Sequence, residues 1–529
     1  VKTYETKDIR NVGIAGHGHC GKTSVAAGLL YAAGATSRLT RVDEGNTVTD
    51  YDEEEINRKL TISTSVAAVE WKKTKINLFD TPGFNMLLND ARSALIAADS
   101  VIIVVDAIAG VEAQTEKMWN TAEEFHLPRA IVINKLDRER ASFERTMESI
   151  HARFGRNAVP IQLPLGSEKD FRGVIDLVRM KAFEYTVDGD GKGKEIEIPA
   201  EYAEAAKQAH EELVEIVAEG KDDLMEEFFE KGTLPEEHVI AGIDEEMREM
   251  RIFPVLCLSG LHDIGSDWLL NLIVEAFPSP ADRPPARLLL NGKEVERKAE
   301  DPQPAAAYVF KTTADPFAGR ITFFRVLSGC IKNDAHLFNP SRGHDERLAH
   351  IGAPFGKTLI PINELHAGDI GAVAKLKDAL TGDTLTDKAS PVAFPPVKLP
   401  EPSIAFAVEA KSRADEDRMG NALHKLLEED LSLRFYRDPQ TREFLVAGTG
   451  QQHVEIAVSR LKKRYGVDVT LKAPKIPYRE TIRGMADVQG RHKKQTGGHG
   501  QFGDCWIRME PLPRGGKFEF ANETFGGSI

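Results

Sequence analysis

Eight residues near the amino terminus constrain this chain more than any other part of it. Gly16-His17-Gly18-His19-Cys20-Gly21-Lys22-Thr23 fits G-x-x-x-x-G-K-[ST], directly after an apolar run at 11–15 and opening a helical stretch at 23–33. The glycines let backbone N–H groups curl around phosphate oxygens, and the helix N-terminus adds a field that favours anions. Lys22 is placed to neutralise β- and γ-phosphates, and the Thr23 hydroxyl to hold Mg2+. The same octapeptide contains G-x-G-x-x-G (Gly16, Gly18, Gly21), with Asp43 and Glu44 downstream. A dinucleotide-binding loop, and with it an oxidoreductase, therefore competes. Lys-Thr after the last glycine and the poor strand pattern of residues 35–42 favour the phosphate loop.

Two further motifs stand at strand ends in the right order. Asn134-Lys135-Leu136-Asp137 follows an apolar run at 130–133. The Asp137 carboxylate offers two acceptors to the N1–H and exocyclic amine of guanine, a donor pair that adenine lacks. Asn134 and Lys135 are expected to brace the loop and cover the ring. Asp80-Thr81-Pro82-Gly83 follows the run 76–79; Asp80 would reach Mg2+ through water, and the Gly83 N–H would sense the γ-phosphate. Alone, that tetrapeptide also reads as a Pro-Gly turn.

Such runs, with others at 101–105 and 254–258, alternate with helical stretches. The pattern predicts an α/β domain with a largely parallel sheet and ligands at the carboxyl ends of its strands. A polar stretch at 183–199 and an acidic helical stretch at 200–230 interrupt it as an insertion. Proline-rich segments at 278–286 and 391–402 mark boundaries. Between them a small β-barrel is expected. Beyond them comes a β-α-β-β-α-β unit of the split ferredoxin-like kind, and from 478 another β-containing module.

Composition limits the alternatives. A length of 529 residues suggests about three to five domains. Cys20, Cys257, Cys330 and Cys505 lie far apart with no C-x-x-C pair, which argues against a disulfide framework or a zinc site. The apolar run 101–111 is broken by Asp106 and too short for a bilayer, and the start lacks a signal-peptide pattern. A cytoplasmic protein without membrane contact is expected. The net charge of −14 divides into −17 over residues 1–400 and +3 over 401–529. Such asymmetry marks a surface for polyanions or reflects chance variation between domains.

With these motifs on the page, the chain resembles the translational GTPases of the elongation factor G family over essentially its whole length. The resemblance is carried by DYDEEEINRKLTI (50–62), GVEAQTE (110–116), QLPLGSE (162–168), GRITFFRVLSG (319–329), GTGQQHVE (448–455), PYRETI (477–482) and KKQTGGHGQFGD (493–504). It implies GTP or GDP with Mg2+, held by residues 16–23, Ser24, Asp80, Asn134, Lys135 and Asp137. It also implies that Thr61 coordinates Mg2+ as the switch I threonine and that Ser259-Gly260 closes over the guanine. The catalytic positions it implies are Lys22, Thr61, Gly83 and residue 84. The implied layout is a GTP-binding domain at 1–282 with a G′-like insertion at about 157–253, and a barrel at 303–397. A ferredoxin-like third domain at 401–474 and the amino-terminal part of a fourth at 477–529 follow, with the fifth absent. The implied partner is the ribosome, both rRNA and ribosomal proteins, met by a monomer that promotes tRNA–mRNA translocation.

The departures from that pattern are specific. Phe84 stands where the family has the switch II histidine that positions the attacking water. A phenyl ring has no hydrogen-bonding group, and positioning is much of what a protein contributes to phosphoryl transfer. Weak hydrolysis is therefore expected, or else a hydrophobic gate with backbone groups holding the water. His19 replaces an aspartate, and Lys59-Leu60 replace Gly-Ile. These features resemble a divergent elongation factor G-like paralogue. Arg460, Lys462, Lys463 and Arg464 form a basic helix end, suited to the helix dipole or to rRNA. Cys20 reads as a small residue near phosphate or as an oxidation-sensitive thiol. His492 and His499 read as part of a strand-turn element.

Overall fold

Strands buried on both faces form the first layer, because helices cover both sides of the sheet. The computed structural model describes residues 2–187, 189–315, 319–397, 401–478 and 480–525. In chain order, the first part runs β1 (Ile9–Gly16), α1 (Lys22–Ala32), α2 (Glu53–Arg58), β2 (Ser65–Trp71), β3 (Thr74–Asp80), α3 (Leu88–Ile96), β4 (Ser100–Asp106), α4 (Ala113–Glu124), β5 (Arg129–Asn134), α5 (Phe143–Phe154) and β6 (Ala158–Pro160). Every residue of β3, β4 and β5 is buried.

An insertion follows: β7 (Gln162–Leu165), β8 (Gly173–Asp176), β9 (Lys181–Glu184), β10 (Lys194–Ile196) and helices α6 (Ala200–Glu219), α7 (Asp222–Lys231) and α8 (Glu236–Arg248). The chain then returns through β11 (Phe253–Cys257) and α9 (Ser266–Glu275). The main-sheet order is β2-β3-β1-β4-β5-β11-β6, parallel except for β2 against β3. Residues 158–160, assigned to the insertion from sequence, pair with β11 as an edge of this sheet. The separate four-stranded sheet begins at Gln162.

Residues 306–386 wrap short antiparallel strands around a core of Val309, Phe324, Val326, Leu337, Leu348 and Val373. This sheet runs on into β2 through the pair Phe355 and Ala67. Beyond it, strand Ile404–Ala410, α10 (Arg413–Glu429), strands Arg434–Arg437 and Phe444–Gly448, α11 (Gln451–Tyr465) and strand Val469–Lys472 give the β-α-β-β-α-β order. Residues 438–443 and 474–529 make a second unit. Within it, Ala486–Gln495 pairs antiparallel with Gly500–Met509, so His492 lies on a strand and His499 in the turn. No helix among the described residues is long and apolar enough to cross a membrane.

Candidate nucleotide-binding site

The β1–α1 loop lies at the carboxyl edge of the sheet, between the ends of β3 and β4 that flank β1. Gly21 has φ +91°, and a Cβ there would collide with the Asn134 amide. At Gly83 a Cβ would collide with Lys22 Nζ and the His17 carbonyl. Three motifs far apart in sequence thus meet at van der Waals distance, and glycine is what permits two of the contacts. Lys22 is buried and its Nζ donates to the His17 carbonyl at 2.7 Å.

Oxygen ligands cluster on one side of Lys22. Thr23 Oγ1 and Thr61 Oγ1 share a hydrogen bond of 2.9 Å, and Thr49 Oγ1 donates to Asp80 Oδ2 at 2.7 Å. Asp80 is wholly buried, and burial pushes its carboxyl above the usual range. Asp50 is pushed up to about 8 by burial and by the neighbouring charges of Asp80 and Glu55. One oxygen of each of Asp50 and Asp80 has no hydrogen-bond partner among the described residues. Two buried carboxylates with orphaned oxygens beside two hydroxyls suit a hard divalent cation such as Mg2+. The sequence reading missed Asp50 and Thr49, because an acidic run such as 50–55 ordinarily marks a solvated face. Its own Glu55 is buried too, accepting the Ile62 and Ser63 N–H groups at 3.0 Å each.

On the other side of the loop, residues 134–137 are held by a set of hydrogen bonds. Asn134 Nδ2 donates to the Cys20 carbonyl at 2.9 Å, and Asn134 Oδ1 accepts the Gly260 N–H at 2.9 Å. Ser259 Oγ donates to Asp137 Oδ1 at 2.6 Å, which orients that carboxylate. Lys135 Nζ donates to the His19 carbonyl at 2.5 Å and to Asp106 Oδ2 at 2.8 Å. Gly260 lies against the Ser24 backbone.

Other expectations change. The His17 ring is turned away from the loop, with Nδ1 3.1 Å from Thr115 Oγ1 and Nε2 3.3 Å from Glu112. Burial lowers its pKa to about 4, so it is neutral, and only its backbone serves the loop. Cys20 is fully buried and burial raises its thiol, the opposite of a reactive thiolate. The basic helix end is engaged inside the molecule. Arg464 pairs with Glu429 at 3.0 Å and with Asp52, and Lys463 with Glu54 at 2.5 Å. Lys462 pairs with Asp468 at 3.2 Å. Carboxylates thus pair with these cations within the chain.

Phe84 is half-buried and joins Leu60 and Met86 against Ile62, Leu87 and Ile456. Its ring also stands edge-on to His19, with centroids 5.3 Å apart.

The comparisons with known proteins agree with this geometry. Residues 7–279 match the elongation factor Tu GTP binding domain, and 304–388 match elongation factor G domain 2. Residues 399–473 match elongation factor G domain III, and 474–529 match domain IV. A crystal structure of a Thermus thermophilus protein is similar at 38% identity with a TM-score of 0.83, over 95% of this chain and 73% of that one. The chain belongs to the elongation factor G family of translational GTPases, which use GTP and GDP with Mg2+.

Proposed function

We propose that this protein is a monomeric cytoplasmic factor that binds ribosomal RNA and ribosomal proteins and promotes tRNA–mRNA translocation, with slow GTP turnover. The observation that carries the slow turnover is Phe84 directly after the Asp80–Gly83 loop, a ring with no hydrogen-bonding group to orient water. In this reading Gly16, Gly18, Gly21 and the backbone of His17, His19 and Cys20 cradle the phosphates. Lys22 leaves the His17 carbonyl for the β/γ-oxygens, and Ser24 supports the loop. Thr23, Thr61, Asp80 and Asp50 are the residues that would hold Mg2+, which would supply positive charge to the phosphate oxygens. Asn134, Lys135, Asp137, Ser259 and Gly260 select guanine. Loss of the γ-phosphate then frees Thr61 and Gly83 from a shared anchor.

Polypeptide synthesis on purified ribosomes tests the role. GTP-dependent restoration of synthesis in a system lacking its translocation factor is the expected result, and GTP-dependent ribosome binding without synthesis contradicts it. That second outcome is the alternative reading, a GTP-dependent ribosome-binding switch with little turnover, and Phe84 is the residue that favours it. Binding of NAD in place of GDP and GTP would revive the dinucleotide reading and overturn both.

A further inference from the structure

We propose that the His19 side chain is a phosphate-contacting group, an imidazole donor to the bound triphosphate that leaves the positioning of water unsupplied. The proposal rests on the GTPase reading of the site and adds to it a role for one side chain.

His19 lies at the centre of the loop, with its backbone in the left-handed region at φ +64°. A residue with a β-carbon disfavours that conformation, so the loop holds it there against a local preference. What holds it is visible. Lys135 Nζ donates to its carbonyl at 2.5 Å, tying the peptide to the guanine-motif strand. The imidazole is exposed, and among the described residues neither ring nitrogen has a hydrogen-bond partner. Among the described residues its ring contact is Phe84, at 5.3 Å between centroids and 89° between planes. The phenyl ring in turn lies against Gly18, where a Cβ would approach it to 2.7 Å.

Phe84 therefore sets the imidazole beside the loop that receives the phosphates, and no protein group satisfies the ring nitrogens. The charged groups tied to the loop are Lys22, on the His17 carbonyl, and Lys135, on the His19 carbonyl and Asp106. A bound triphosphate brings negative charge to the same loop, where an imidazole N–H can donate to it. Hydrolysis breaks the bond between the γ-phosphorus and the β,γ-bridging oxygen and forms one to the oxygen of water. The water proton leaves with phosphate and solvent, so no further reactant is needed. An N–H donor beside oxygens that gain charge lowers the barrier electrostatically without taking a proton. A histidine merely tolerated at an exposed loop position would do none of this.

Imidazole NMR on the whole chain, with Mg2+ and either GDP or a non-hydrolysable GTP analogue, reads the contact directly. The expected result is that the analogue shifts the His19 ring-nitrogen resonances relative to the free chain, with a smaller change for GDP. His19→Ala should weaken the analogue about tenfold more than it weakens GDP, as loss of one charge-assisted hydrogen bond implies. His19→Gln, which keeps a donor, should recover part of that loss. A His19 signal unmoved by the bound analogue overturns the proposal and leaves the GTPase reading intact. Failure of the wild-type chain to bind either nucleotide overturns both.

Discussion

The imidazole of His19 stands edge-on to the phenyl ring of Phe84, with centroids 5.3 Å apart and planes at 89°. These are the two most specific departures from the elongation factor G pattern, one in the phosphate loop and one in switch II, and they touch. The two rings join the phosphate loop to the segment after Gly83, so a change at either position acts on both.

The arm carrying Thr61 has its own strained position. Lys59 caps α2 with φ +53°, a conformation that suits glycine. Lys59→Gly should stabilise the arm by about 1 kcal/mol, since the lost pair with Asp43 is exposed at 56% and 79% and contributes little. Hydrogen exchange across residues 59–63 should slow. Faster exchange would show that the exposed ion pair matters more than the backbone.

Arg464 joins the same arm to α10 and α11. It bridges Asp52, which caps α2, and Glu429, whose carboxyl is raised by burial. Arg464→Ala would leave both carboxylates without that partner, at a cost of about 2–4 kcal/mol. Exchange of residues 53–63 should quicken while β4 and β5 stay protected. Uniform destabilisation of the whole protein would contradict this local coupling.

Asp263 predicts a pH dependence. Both its oxygens lack partners among the described residues, and burial pushes its carboxyl up to about 7. The native state thus keeps a proton that the unfolded chain releases near pH ~4. Its contribution to stability is full below that value and is lost as pH rises through about 7. Asp263→Asn removes this titration, so its stability advantage over wild type should be greater at pH 8 than at pH 5 by roughly 2–3 kcal/mol. Denaturant unfolding at the two pH values measures it, and a pH-independent difference would refute the assignment.

Much of this was legible in sequence because phosphate and guanine sites depend on glycines and carboxylates at strand ends. The spacing of Gly16 to Thr23, and of Asn134 to Asp137, marked two motifs that the fold brings into contact at one edge of the sheet. What stayed hidden depends on burial across long sequence separations. Asp50 looks like part of a solvated acidic run until β3 brings Asp80 beside it. Arg464 looks like a helix-dipole partner until α11 packs beside α2, more than 400 residues away in sequence. His17 fits the motif, yet its ring belongs to α4. Residue identity specified the chemistry, and tertiary packing decided which atoms were available for it.

The most direct test of the account is single-turnover GTP hydrolysis by the wild-type chain and Phe84→His, each with and without ribosomes. Removing and restoring one positioning side chain is expected to change the rate by about 100-fold or more. The account predicts slow wild-type hydrolysis even on ribosomes, with Phe84→His faster by that order and nucleotide affinity little changed. A wild-type rate equal to that of a histidine-bearing family member, and unaltered by Phe84→His, would contradict it.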